Sequence, residues 1–228
     1  MKQLTDRAGA WARDVEVVAG PSAGRQCQAL QAFAYPFTYW VGMDTDPRTT
    51  PEALAEFNRF YSTTHVHEVL SAHPGFVSVS RYELAEQDAR GGEHHGPRWL
   101  AVYAARDEAA ALQYIKDNER PWLHRRKYSP WPPARRKAKT VWRMLWRQMS
   151  ATRPSAQSPE PESICLIGAN LQPEAEGGGT CLELYRAFAH PDPPGCPRFC
   201  GVSAGDGVTV HAGDSAWRLV FRRVPAPE

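Results

Sequence analysis

The chain has 228 residues, 42% of them apolar, and a net charge of +2 at pH 7, which is enough apolar content to bury a core in one large domain or two small ones. No run approaches the roughly 18 apolar residues that cross a bilayer, and Met1 to Ala10 carries charges without the apolar centre of a secretory signal, so a cytoplasmic protein with no membrane partner is expected. Five cysteines, an odd number, argue against a disulfide framework and fit a reducing compartment.

Residues 1–36 hold one short apolar run, Val15 to Ala19, before Gly20-Pro21, and read as an N-terminal extension of weak structure. Tyr39-Trp40-Val41-Gly42-Met43-Asp44 is aromatic and β-branched, is closed by Asp46-Pro47, and reads as a strand. Thr50, Pro51 and Glu52 then form a helix start: a side-chain cap, a proline at the first helical position and an acid at the positive end of the dipole. Leu54, Phe57 and Tyr61 recur at spacings of three and four, which predicts one apolar face on a helix running to about Thr64 or beyond. Phe76 to Leu84 reads as the second strand, and Gln87 to Gly96, with Gly91-Gly92 and His94-His95, as a polar loop. Trp99 to Tyr103 is a third strand, and Asp107 caps a second helix carrying Ala111, Leu112 and Ile115.

From Arg120 to Arg153 there are eleven Lys or Arg residues and no Asp or Glu, interleaved with Trp122, Tyr128, Trp131, Trp142 and Trp146. Basic residues mixed with aromatic rings can follow a phosphate backbone and stack bases. Pro121, Pro130, Pro132 and Pro133 break this run into loop, and no nucleic-acid motif surrounds it, so the sequence favours a solvated loop over a nucleic-acid partner. Thr140 to Met149 then alternates as a strand, with Trp142, Met144 and Trp146 on one face and Val141, Arg143, Leu145 and Arg147 on the other.

The order β-α-β-β-α-β predicts an α+β fold, the ferredoxin-like split βαβ sheet with both helices on one face. Its bare face needs a cover, either a second subunit in a homodimer or a second unit in the same chain. Residues 37–150 form this domain, 151–162 have linker composition, and 163–228 read as a truncated second α+β unit that packs on the first to close a barrel-like cavity. In that unit Ile164 to Leu171 and Ala216 to Val224 read as strands and Leu182 to His190 as a short helix.

The turn Phe57 to Leu70, the segment His73 to Tyr82, the strand Pro97 to Tyr103, and Asn118 to Trp122 leading to Val141-Trp142-Arg143 together resemble the dimeric α+β barrel superfamily, and within it the EthD-like actinobacterial branch. The resemblance covers residues 37–150. It implies a shared fold with varied chemistry: cofactor-independent monooxygenases, lactone isomerases, polyketide cyclases and haem-dependent enzymes. Tyr61, His65, Val66 and Glu68 match the family's turn, whereas His67 stands where proline is expected and Ser62 where an acid is common. A helix without that proline can continue one turn further.

The His-rich turn is the first place to look for chemistry, because imidazole titrates near neutral pH and moves protons. His65 is the candidate general acid/base, Tyr61 a hydrogen-bond donor to a developing oxyanion, and Arg143 an anchor for an anionic group. His67, Tyr39, Trp99, Tyr103, Trp142 and Trp146 are candidate substrate contacts that would line an aromatic pocket on a barrel's inner face. Cys181, Cys196, Cys200, His190 and His211 lack the spacing of a common zinc site, so no metal is assigned. The sequence contains no phosphate loop, dinucleotide fingerprint or Gly-x-Ser-x-Gly elbow. The expected function is a cofactor-independent cyclase, isomerase or lyase of specialised metabolism acting by proton transfer on an aromatic or polyketide-like small molecule. Two alternatives stand beside it. One is a haem- or oxygen-dependent enzyme on the same fold with His65 or His67 as axial ligand; the other is a non-catalytic binding protein using the basic, Trp-rich segment 120–147.

Overall fold

A computed structural model describes residues 31–89, 96–118, 128–133, 138–149, 161–169, 182–189, 197–205 and 217–225. Eight strands make one sheet: β1 (Phe37–Thr45), β2 (Phe76–Ala89), β3 (Trp99–Ala105), β4 (Ala138–Gln148), β5 (Ser163–Ala169), β6 (Leu182–Ala189), β7 (Phe199–Ala204) and β8 (Trp217–Arg223). The sheet is antiparallel throughout and closes on itself in the order β1-β3-β2-β8-β5-β7-β6-β4, with β4 returning to β1. Helix α1 (Pro51–Phe60), a π-turn (Tyr61–His65) and helix α2 (Val66–Ala72) form one continuous helical rod between β1 and β2, and α3 (Glu108–Asn118) follows β3.

This architecture overturns the expected α+β, ferredoxin-like split βαβ sheet. About half of the described residues are strand, the helical ones are mainly the rod α1–α2 and α3, and the sheet is a closed barrel with no bare face to roof. Two misread segments account for the difference. The first is β2: the strand expected to end at Leu84, with a polar loop from Gln87, runs on to Ala89 and serves two neighbours, Phe76 to Glu83 pairing with β3 and Tyr82 to Ala89 with β8. The second is the expected helix Leu182 to His190, which is the strand Leu182–Ala189, joined to β4 on one side and β7 on the other. The edges of the first four strands are thereby continued by β6 and β8, and closure needs no second copy of the chain. His94 and His95 lie outside the described residues.

Alternation along the strands sorts the side chains. Trp40, Tyr82, Leu100, Val102, Trp142, Met144 and Trp146 from the first half meet Ile164, Leu166, Leu184, Val202, Leu219 and Phe221 from the second in one buried cluster. An eight-stranded barrel is just wide enough for side chains to fill, and here large aromatic ones fill it: Trp40 and Trp146 are fully buried with ring centroids 4.9 Å apart. The outward residues Tyr39, Trp99, Ala101, Tyr103 and Leu145 form a second cluster with Phe57, Tyr61, Val66 and Val69 of the helical rod and Ala111, Tyr114 and Ile115 of α3.

Local sequence explains the helix starts. Thr50 Oγ1 accepts the Ala53 N–H at 3.3 Å with Pro51 at the first position, and Asp107 Oδ1 accepts the Ala110 N–H at 2.8 Å. A β-bulge opposite Gly42 and Met43 shifts the β1–β4 register, with Val141 of β4 as the extra residue, while Met43 stays with Tyr39 and Val41 on the helix-covered side. A Cβ on Gly42 would stand 2.7 Å from both Pro97 Cγ and Trp142 Cβ. Gly42→Ala is therefore expected to destabilise the fold by about 1–3 kcal/mol through overpacking, read as a lower urea midpoint with an unchanged m-value; an unshifted midpoint would show that the bulge has slack.

Candidate functional site

The helical rod does not keep one geometry. At Tyr61–His65 it widens into a π-turn in which the Val66 N–H reaches back five residues to the Tyr61 carbonyl. Such single π-turns recur at functional sites. Here the extra residue keeps Tyr61 and His65 together on the barrel-facing side, both buried, and still lets Val66 and Val69 pack inward in the next turn. The absence of proline at position 67 leaves the rod free to continue to Ala72.

The Tyr61 and His65 rings lie edge-on with centroids 5.1 Å apart. Trp131, from the segment 128–133, covers both: its ring is 4.3 Å from His65 and 5.6 Å from Tyr61, and it also meets Phe57 and Phe60. Tyr128 of the same segment lies 5.4 Å from the His65 ring. Two polar contacts hold this strap against α2. The Tyr128 hydroxyl is 2.8 Å from His73 Nε2, and the Ser129 N–H and hydroxyl both donate to Glu68 Oε1. His73 is buried and its Nδ1 is 3.7 Å from the Asp117 carboxylate, so a carboxylate, an imidazole and a phenol follow one another from α3 to the strap.

On the barrel side, the Tyr61 hydroxyl is 3.4 Å from that of Tyr103, and the Arg81 guanidinium sits 4.2 Å over the Tyr61 ring. Burial pushes the phenols of Tyr103, Tyr39 and Tyr128 well above their ordinary value and pushes the Arg81 guanidinium down. Neighbouring phenols add to the rise: Tyr61 for Tyr103, and Tyr114 for Tyr39 and Tyr128.

The predicted residues divide into separate places. Tyr61, His65 and Tyr103 meet; Tyr39 and Trp99 share their layer, Tyr39 through Tyr114 at 5.2 Å and Trp99 beside Arg81 at 5.9 Å. Trp142 and Trp146 lie inside the barrel, in the other cluster. Arg143 is opposite Val41 on the outer wall, half-buried, where its charge acts on Tyr39. His67 is exposed on the far side of the rod. Arg81, His73, Asp117 and Tyr128 were not among the predicted site residues. Arg81 had a sequence signal, a charge in an otherwise strand-like run, whereas Tyr128 sits in a Pro-rich basic stretch and Asp117 at a helix end.

A separate cleft of about 690 Å³ opens at the end of β1, lined by Asp44, Thr45, Asp46, Pro47, Arg48 and Lys139 and by none of the predicted site residues. Among the described residues no group of three or more His, Cys, Asp and Glu could hold a metal ion, and no helix is long and apolar enough to cross a membrane. Cys181, Cys196, His190 and His211 lie outside the described residues.

The buried phenols of Tyr39 and Tyr103 and the half-buried phenol of Tyr128 predict a pH response. Their folded values lie above the unfolded value of 10.0, so the folded chain holds their protons more tightly. Their contribution is fully present below pH 10 and is lost as pH rises through the folded values. Tyrosinate absorbance for Tyr39, Tyr103 and Tyr128 should appear only in step with loss of the circular dichroism signal; ionisation of all three near the ordinary value in an intact fold would refute their burial.

No family model and no curated protein matches the chain. Among solved structures, a dye-decolorizing protein from V. cholerae is similar at 14% identity and a TM-score of 0.33, over 64% of this chain and 60% of that one.

Proposed function

We propose that the chain is an enzyme that moves protons on a small organic molecule at the seam between the helical rod and the barrel wall. One observation carries the reading: a π-turn places a phenol and an imidazole side by side in a layer shielded from water, the pairing that general acid–base chemistry requires. His65 takes or returns the proton at carbon, and the Tyr61 hydroxyl faces the oxygen on which charge develops. The surrounding rings of Phe57, Tyr103, Tyr128 and Trp131 suit a flat aromatic or polyketide-like substrate, whose cyclisation, isomerisation or elimination passes through an enolate. Trp131 occupies the face of His65 that such a ring would take, so substrate enters by displacing it.

The two alternatives have less to stand on. A haem with His65 as ligand would have to clear Trp131, Tyr61 and Tyr128 from around the imidazole, and His67 is exposed on the outer side of the rod. The nucleic-acid reading needs exposed rings in the basic stretch, whereas Trp142 and Trp146 are inside the barrel and Trp131 is stacked on the helical rod.

A panel of enolisable aromatic ketones incubated with the protein in deuterium oxide tests the proposal. The wild type should catalyse deuterium uptake beside a carbonyl, and His65→Ala should reduce it by roughly 10²-fold or more while remaining folded. Uptake that is equal in His65→Ala, or absent across the panel, counts against the site.

A further inference from the structure

Burying a cation is costly unless an anion accompanies it, and the usual companion is a carboxylate. Arg81 departs from that pattern. It is buried, and its three hydrogen bonds end on neutral atoms: Nη1 donates to the Asn58 carbonyl at 3.0 Å and to Ser62 Oγ at 2.7 Å, and Nη2 to Asn58 Oδ1 at 2.9 Å. The carboxylate of Glu83 acts on Arg81 only at a distance and makes its ion pair with Arg98 at 3.4 Å. What the guanidinium does face is the ring of Tyr61, 4.2 Å away, from the strand wall opposite the π-turn.

Tyr61 is also the phenol whose oxygen meets another phenol. Its Oη lies 3.4 Å from Tyr103 Oη, and Tyr103 is completely buried. Either hydroxyl can donate in that contact while both are neutral; burial and the neighbouring Tyr61 hold the proton on Tyr103, so an ionised Tyr61 would accept from Tyr103. Among the described residues, the titratable and charged groups around Tyr61 include Arg81 from β2, Tyr103 from β3, the more distant Tyr39 from β1, and His65 from its own rod.

We propose that Arg81 is a positioning residue that, together with Tyr103, stabilises the anion of Tyr61, making Tyr61 the proton donor to the substrate's oxygen. This rests on the acid–base reading of the Tyr61–His65 pair for its use in catalysis. The Tyr61 O–H bond breaks as the substrate's O–H bond forms, and the electron pair stays on Tyr61 Oη beside the Arg81 charge and the Tyr103 donor. The proton that His65 takes from carbon then returns to Tyr61 Oη, which closes the cycle with no outside oxidant or reductant. The substrate class is accordingly an enolisable carbonyl compound converted to its enol; where His65 instead returns its proton to a second carbon and the enol O–H proton goes back to Tyr61 Oη, the product is a double-bond isomer.

Ultraviolet titration of tyrosinate on the full chain, with no substrate present, tests the electrostatic half. One phenol should ionise before the ordinary tyrosine value of about 10, disappear in Tyr61→Phe, and bind its proton at least about tenfold more tightly in Arg81→Met. Arg81→Lys, which keeps the charge, should recover most of that shift. An early phenol that is missing from the wild type, that survives in Tyr61→Phe, or that does not move in a folded Arg81→Met overturns the proposal. If Arg81→Met does not fold, the wild type, Tyr61→Phe and Arg81→Lys decide it. Because the titration needs no turnover, failed deuterium exchange with an intact early phenol would sink the catalytic reading and leave the Arg81–Tyr61 coupling standing.

Discussion

Closure of the sheet within a single chain is the constraint on which the rest of the molecule depends. Eight strands leave an interior that side chains fill, and the indoles of Trp40, Trp142 and Trp146 occupy it from one half while Ile164, Leu166, Val202 and Phe221 meet them from the other. An interior packed this way stabilises the fold. The candidate site therefore lies on the outer wall, where the rod α1–α2 and α3 cover β1, β2 and β3 and where every second strand residue points. The same alternation that sends Val102 inward sends Tyr103 outward, and the same holds for Trp40 and Tyr39.

On that wall the π-turn decides what meets what. In a regular α-helix the buried stripe drifts around the axis from one turn to the next, and a single i-to-i+5 turn resets it. Phe57, Tyr61 and His65 remain in line, and Val66 and Val69 pick up the packing beyond. The phenols beneath are costly to ionise in so dry a layer. The Arg81 cation stands over the ring of Tyr61, and its charge also offsets part of that cost at Tyr103.

Much of the local structure was legible in the sequence, because it depends on near neighbours. Thr50-Pro51-Glu52 and Asp107 mark helix starts that the structure uses, and the apolar spacing of Leu54, Phe57 and Tyr61 gives the buried side of the rod. What failed was long-range pairing. Leu182 to His190 contains Leu, Glu and Ala, which favour helices in isolation, yet its edges are claimed by β4 and β7, and strand pairing overrode propensity. Gln87 to Ala89 reads as the start of a polar loop because those residues lie where β2 has left β3 for β8. The site was half legible for the same reason. Tyr61 and His65 are neighbours on one helix and could be paired from spacing alone, whereas Arg81, Tyr103 and Tyr128 arrive from elements 19 to 63 residues away, counted from Arg81 against Ser62 and from Tyr128 against His65.

The two halves of the barrel divide the work unequally. Among the described residues all helices belong to the first half, and β5 to β8 supply wall and interior but no covering helix. The strap carrying Tyr128, Ser129 and Trp131 also belongs to the first half, and its fastenings, His73 and Glu68, lie at the end of and within α2. Every group of the candidate site is therefore held by elements that precede β5, while the second half closes the sheet that keeps β1, β2 and β3 in register beneath them. Register is what sets the site: Tyr39, Tyr103 and Arg81 present their side chains to the rod only because β1, β3 and β2 are aligned as Tyr39↔Tyr103 and Arg81↔Ala101. A slip by one residue would turn Tyr103 inward and Val102 outward, so a barrel locked by β6 and β8 at both edges is the condition for the Tyr61–Tyr103–Arg81 arrangement to exist.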